Sequence, residues 1–119
     1  MLRHPYVTVR VNCPLTTIHG WDDVAMINSL SNFHVVKAVV LPKVRDVASL
    51  TAVVYSLTRP LPIWAMIETA QGVVNVEPIS LCGSVEAVVF GSNDFTKDIQ
   101  ESVLSLDGCP CTIVCRNVL

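Results

Sequence analysis

The chain has 119 residues, of which 51% are hydrophobic and only 15% charged, against about a quarter charged in an average soluble domain. That balance excludes a disordered chain or a solvated coiled coil and favours elements buried on both faces, as in a parallel α/β sheet. With 8 basic and 10 acidic side chains there is no cationic excess to neutralise a phosphate backbone, so nucleic acid is not expected as a partner.

Tyr6–Asn12 (YVTVRVN) is rich in β-branched and aromatic residues and predicts a strand. Asp22–Ser31 follows with Val24, Ile27 and Leu30 at helical spacing. His34–Leu41 (HVVKAVVL) is a nearly continuous apolar run, the pattern of a buried parallel strand. Asp46 stands in an N-cap position ahead of Val47, Leu50, Val54 and Leu57. Pro60 and Pro62 stop that helix, and Ile63–Ile67 (IWAMI) predicts a third strand with Trp64 and Met66 in the core. Ala70–Ile79 reads as a short helix with Pro78 near its end, and Val85–Phe90 (VEAVVF) as a fourth strand. Asp94–Leu106 carries Phe95, Ile99, Val103 and Leu106 on one helical stripe. The stretch 107–119 (DGCPCTIVCRNVL) breaks the repeat; its TIV is a strand candidate with no helix after it.

The apolar run at 35–42 carries Lys37 and is far short of the ~20 residues that a spanning helix needs. The N-terminal MLRHPYVTVRVN lacks the apolar centre of a secretory signal. No membrane association is expected. The 5 cysteines are an odd number: Cys13 and Cys82 stand apart, while Cys109, Cys111 and Cys115 crowd the end. We read them as reduced thiols, in the cytoplasm or a mitochondrial matrix. The CxCxxxC spacing lacks the fourth ligand of a structural zinc site.

Strand–helix units repeated in order imply right-handed crossovers and a parallel sheet, with strands in the order 1-2-3-4. Two closures fit: a doubly wound open sheet, or roughly half of a (β/α)₈ barrel, which needs about 250 residues. No Gly-rich dinucleotide or phosphate-binding motif follows any strand. In parallel α/β folds ligands bind at the carboxyl ends of the strands. Those ends read Arg10–Asn12, Leu41–Pro42–Lys43, Glu68–Thr69 and Gly91–Ser92–Asn93–Asp94. Each carries an ionisable group. Two carboxylates with room for water suit Mg²⁺, which takes oxygen ligands and usually only one or two carboxylates. A nearby Arg grips a carboxylate through its planar fork. A metal and a guanidinium together stabilise an enolate or a polarised carbonyl, which points to carbon–carbon bond chemistry on an oxo- or hydroxy-acid. Blander readings stand beside these: Asp94 as a helix N-cap, Arg10 as an edge-blunting charge, Lys43 as a solvated loop lysine, Asn12 and Asn93 as turn formers.

Four segments also carry a resemblance: VRVN at 9–12, VVLPKV at 39–44, IETAQGVVN at 67–75 and VVFGSNDFTKDI at 88–99. In order and spacing they resemble the citrate lyase β-subunit-like branch of the HpcH/HpaI aldolase family, over roughly residues 7–100. The resemblance implies about four βα units of a (β/α)₈ barrel, usually oligomeric. It implies a Mg²⁺-dependent lyase or aldolase acting on oxo acids or on acyl-CoA thioesters such as citryl-, malyl- or citramalyl-CoA. By resemblance Glu68 and Asp94 are the metal ligands. Arg10 holds a substrate carboxylate, and the backbone around Ser92, Asn93 and Asp94 receives the oxo acid.

The family's first two strands and last two strands have no counterpart in the chain. The expected organisation is therefore a partial barrel over 1–106 and a divergent tail over 107–119. The resemblance further implies a rival to the enzyme: a truncated, catalytically inactive product that associates with other chains, most simply as a homo-oligomer, because a partial barrel leaves two sheet edges open.

Overall fold

The computed structural model describes residues 6–31 and 33–103. His4, Leu106 and the whole stretch 107–119, with its three cysteines and strand candidate, lie outside the described residues. The elements in order are β1 (Val7–Arg10), α1 (His19–Ser29), a 3₁₀ turn (Phe33–Val35), β2 (Val36–Leu41), α2 (Val47–Ser56), β3 (Ile63–Ile67), α3 (Ala70–Val74), α4 (Val76–Ser80), β4 (Val85–Phe90) and α5 (Ser92–Val103). The four strands form one parallel sheet in the order β1-β2-β3-β4. The fold is α/β, as the repeat predicts. Among the described residues no helix is long and apolar enough to cross a membrane.

The core lies on one face of the sheet. Val24 and Ile27 of α1, Leu50 and Val53 of α2 and Ile79 of α4 pack on Val11, Val39, Leu41, Ile63, Ala65 and Ile67. Strand side chains alternate between faces, so Trp64 and Met66 point away from that core. They are half-buried, and the Trp64 Nε1–H donates to Glu86 Oε1 at 3.3 Å. The expectation of both as core residues is thus corrected: a uniformly apolar IWAMI hides which alternate set meets the helices.

Other boundaries shift for identifiable reasons. Asp46 caps α2 as predicted, its Oδ1 accepting from the Ser49 N–H at 2.8 Å. The single helix predicted over Ala70–Ile79 is two, broken at Asn75 (φ −98°, ψ 11°). Pro78 has no N–H to give, and its ring crowds the carbonyl four residues back, at Val74. The interruption is closed by Asn75, whose Nδ2 donates to the Arg45 carbonyl at 2.8 Å. Helix α1 begins at His19 rather than Asp22, and His34 sits in the 3₁₀ turn rather than in β2. Helix α5 begins at Ser92 rather than Asp94. Gly91 N–H still pairs with the Ile67 carbonyl at 2.9 Å, while the Gly91 carbonyl already accepts from Phe95 N–H at 3.0 Å. The change from strand to helix therefore takes a single residue.

Candidate functional site

The carboxyl ends of the strands meet where β3 and β4 turn into their helices. Glu68 follows β3 directly and is 3% exposed, and Thr69 beside it is 6% exposed. Thr69 caps α3, its Oγ1 accepting from Gly72 N–H at 3.0 Å. With Thr69 turned to the helix, Glu68 faces the turn after β2. There its Oε2 accepts from the Lys43 backbone N–H at 2.9 Å.

Gly91 shapes the other side of Glu68. A Cβ at this position would stand 2.5 Å from Glu68 Cγ and 2.8 Å from Oε1. Only a residue without a side chain lets the carboxylate lie against the end of β4. Asp94, half-buried in the first turn of α5, comes within side-chain hydrogen-bonding reach of Glu68. It is not the helix N-cap but the third residue of α5, where an acidic side chain is favoured by the helix dipole.

Burial pushes the Glu68 carboxyl above the usual carboxylate range. The Lys43 N–H pulls it down, the Asp94 carboxylate raises it again, and the Arg10 guanidinium lowers it. Two carboxylates this close cannot both ionise cheaply; they share a proton or a cation. Arg10, exposed at the end of β1 and paired in register with Val40, is the member of the predicted set contributed by the first strand, and its charge is felt at Glu68.

The structure therefore brings Glu68 and Asp94 to one mouth, while Arg10 stands at the end of β1, outside the lining of the cleft but within electrostatic reach of Glu68. Ser92 and Asn93 open α5 beside that mouth, Ser92 half-buried and Asn93 exposed. Their amides and that of Asp94 belong to the first turn of a helix, whose N–H groups have no intrahelical acceptor. Asn12 is turned elsewhere. Its backbone N–H and Nδ2 both donate to Asp23 Oδ2, at 2.8 and 2.9 Å, tying β1 to α1 and holding the Asp23 carboxyl below its usual range. Its role is structural.

A cleft of about 200 Å³ opens over the pair, lined by Lys43, Arg45 and Lys97 together with Glu68, Asp94 and Asp98. Asp98 was not singled out from sequence. It lies one helical turn after Asp94, the spacing that shares a face, and its Oδ2 accepts from Ala70 N–H at 2.9 Å, pinning α5 to the start of α3. A larger cleft, about 640 Å³, is lined by residues that precede β3 and β4, among them Pro60, Pro62, Gly83 and Ser84. That is the opposite end of the strands, where parallel α/β folds place stability rather than chemistry.

Glu68 and Asp94 offer hard oxygen donors, the chemistry that Mg²⁺ prefers. Lys43 N–H occupies Oε2 of Glu68, and Oε1 lies toward Gly91 at the end of β4. Among the described residues no cluster of three or more His, Cys, Asp or Glu is arranged to hold a metal. The protein's share of such a shell would be two carboxylates, within the one or two that are usual for Mg²⁺.

Comparison with known proteins gives a consistent kinship. The family model of HpcH/HpaI aldolase/citrate lyase matches residues 2–105. A (3S)-malyl-CoA thioesterase of Cereibacter sphaeroides is 42% identical over 62 residues, which are 52% of this chain and 21% of that protein. Among solved structures, a citrate lyase from Burkholderia xenovorans superposes with a TM-score of 0.69 at 20% identity, covering 94% of this chain and 38% of that one. The protein CitE from Mycobacterium tuberculosis, solved in complex with magnesium, acetoacetate and coenzyme A, gives a TM-score of 0.64 at 22% identity over 77% of this chain and 31% of that one. The chain thus spans between a fifth and two fifths of these relatives.

Proposed function

The chain belongs to the HpcH/HpaI aldolase/citrate lyase family, and we propose that it carries the metal- and acid-binding mouth of a carbon–carbon lyase acting on hydroxyacyl-CoA thioesters of the malyl, citramalyl or citryl type. The observation that carries this reading is Glu68, a carboxylate 3% exposed beside a second one at the neighbouring strand end. Such a pair is costly to bury without a cation. Glu68 and Asp94 would hold Mg²⁺ here. When bound, Mg²⁺ would supply Lewis-acid polarisation of the oxo-acid oxygen atoms at this mouth.

The chain's own residues do the rest. Arg10 takes a substrate carboxylate in its two-pronged donor face. The first-turn amides at Ser92, Asn93 and Asp94 receive the oxygen atoms of the oxo acid, since a helix N-terminus favours negative charge. Lys43, Arg45 and Lys97 line the cleft and attract an anionic thioester. In the lyase direction the bond between the carbinol carbon and the carbon next to the thioester breaks. The carbinol O–H gives its proton to solvent as its carbon becomes the carbonyl of the oxo acid, and the bonding pair stays on the acyl-CoA carbon until that carbon takes a proton from solvent.

A second reading is favoured by the name of the 42% identical relative: hydrolysis of the thioester at the same mouth. Product analysis separates the two. Malyl-CoA incubated with the chain and Mg²⁺ yields an oxo acid and a shorter acyl-CoA under the lyase reading, but free CoA thiol and the hydroxy acid under hydrolysis. A folded, assembled chain that forms neither would leave the association-only alternative.

A further inference from the structure

We propose that Lys43 is a positioning residue for Glu68, acting through its backbone rather than its ammonium group; the inference rests on the reading of Glu68 as a metal ligand. Among the described residues, Lys43 is the non-glycine residue with a positive φ, at 55°. L side chains resist this conformation, and a residue held in it marks a place where the surrounding structure enforces a local geometry.

Both flanks of Lys43 are anchored. Leu41 is in register with Ala65 of β3. Val44 N–H bonds the Met66 carbonyl at 3.1 Å, and the Val44 carbonyl fills the space where a Cβ on Gly72 would stand, 2.6 Å away. Between these anchors the left-handed turn aims the Lys43 N–H at Glu68 Oε2, at 2.9 Å. The other oxygen, Oε1, is the one packed against Gly91 at the end of β4. The turn thereby distinguishes the two carboxylate oxygens. One is held by a backbone donor, and the other lies against the end of β4. A side-chain donor would be free to swing; a backbone donor set by a fixed turn is not.

The backbone role separates from the charge by substitution. Lys43→Gly removes the ammonium group but adopts positive φ readily. Lys43→Val removes the same charge and resists the left-handed region through its branched Cβ. Full chains are titrated with Mn²⁺, followed by the spectroscopic signal of the free ion, with circular dichroism confirming the fold. We expect Lys43→Gly to bind Mn²⁺ within about twofold of the unmodified chain and Lys43→Val to bind about ten- to a hundredfold more weakly. Equal losses in both variants, or no loss in Lys43→Val, would overturn the proposal. If the unmodified chain binds no Mn²⁺, the metal-ligand reading of Glu68 fails. Positioning is then read from exchange of the Lys43 amide proton, which is protected in the unmodified chain and in Lys43→Gly and loses that protection in Glu68→Ala. Unchanged exchange in Glu68→Ala overturns the positioning role by itself.

Discussion

Gly91→Ala is the sharpest perturbation that the site allows. The added Cβ would stand 2.5 Å from Glu68 Cγ, 2.8 Å from Oε1 and 3.1 Å from Cδ. Carbon atoms in contact sit about 3.5–4.0 Å apart, so the overlap is about 1 Å. Two motions relieve it. Glu68 swings away and gives up its 2.9 Å bond from Lys43 N–H, leaving a buried carboxylate short of a donor at a cost of about 1–3 kcal/mol. Alternatively the end of β4 shifts and strains the 2.9 Å bond from Gly91 N–H to the Ile67 carbonyl, with an overpacking cost of about 1–3 kcal/mol. Either route moves Glu68 relative to Asp94. Since about 1.4 kcal/mol is tenfold in affinity, we expect Gly91→Ala to weaken Mn²⁺ binding about tenfold or more and to lower stability by about 1–3 kcal/mol. Gly83→Ala is the control, because a Cβ there meets nothing within 4 Å; it should stay within about 0.5 kcal/mol. Urea unfolding and metal titration of the three chains are the assays. If Gly91→Ala matches Gly83→Ala in both, the cradle around Glu68 is not a constraint and the argument fails.

Three further outcomes are expected. Because the folded-state Glu68 carboxyl is raised, its contribution to stability is present at acid pH and is lost as pH rises through that raised value. Urea midpoints in EDTA should therefore fall less toward neutral pH in Glu68→Gln than in the unmodified chain; parallel curves would show that Glu68 is not perturbed. Asp98→Ala unpins Ala70 N–H from α5 and should cost about 1–2 kcal/mol, read from urea or thermal unfolding; an unchanged midpoint would place the bond outside the stability of the domain. Arg10→Lys keeps the charge but not the fork, so affinity for an oxo acid should drop while Mn²⁺ affinity stays close to that of the unmodified chain; equal oxo-acid affinities would reduce Arg10 to a structural charge.

The parallel sheet was legible because its strands are written as runs: VVKAVVL and VEAVVF both read as strands, although β4 is only half-buried, with Val88 and Phe90 exposed, and Asp46 announces its helix. Glu68 and Asp94 were legible for a related reason, since each stands just past a run in a chain with few charges. What stayed hidden depends on geometry that residue type does not encode. IWAMI is apolar at every position, so nothing in it says that Ile63, Ala65 and Ile67 face the helices while Trp64 and Met66 do not. The hold on Glu68 comes from a backbone N–H and from an absent side chain, at Lys43 and Gly91. A lysine in a loop and a glycine after a strand each have commoner explanations. The glycine had a readable signal in its place, directly between a strand and a helix beside an acidic residue. Lys43 had none, because its positive φ appears only once both flanks are fixed. The break at Asn75 was readable from Pro78 and its clash with the carbonyl four residues back.

The central claim is that Glu68 and Asp94 together form a metal site. Calorimetric titration of the full chain with Mg²⁺, alongside Glu68→Gln and Asp94→Asn, tests it most directly. These substitutions keep the size of each side chain and remove only its charge. The account predicts one Mg²⁺ per chain in the unmodified protein and loss of that binding in each variant. Binding that survives either substitution would contradict it, as would an unmodified, folded chain that binds no Mg²⁺.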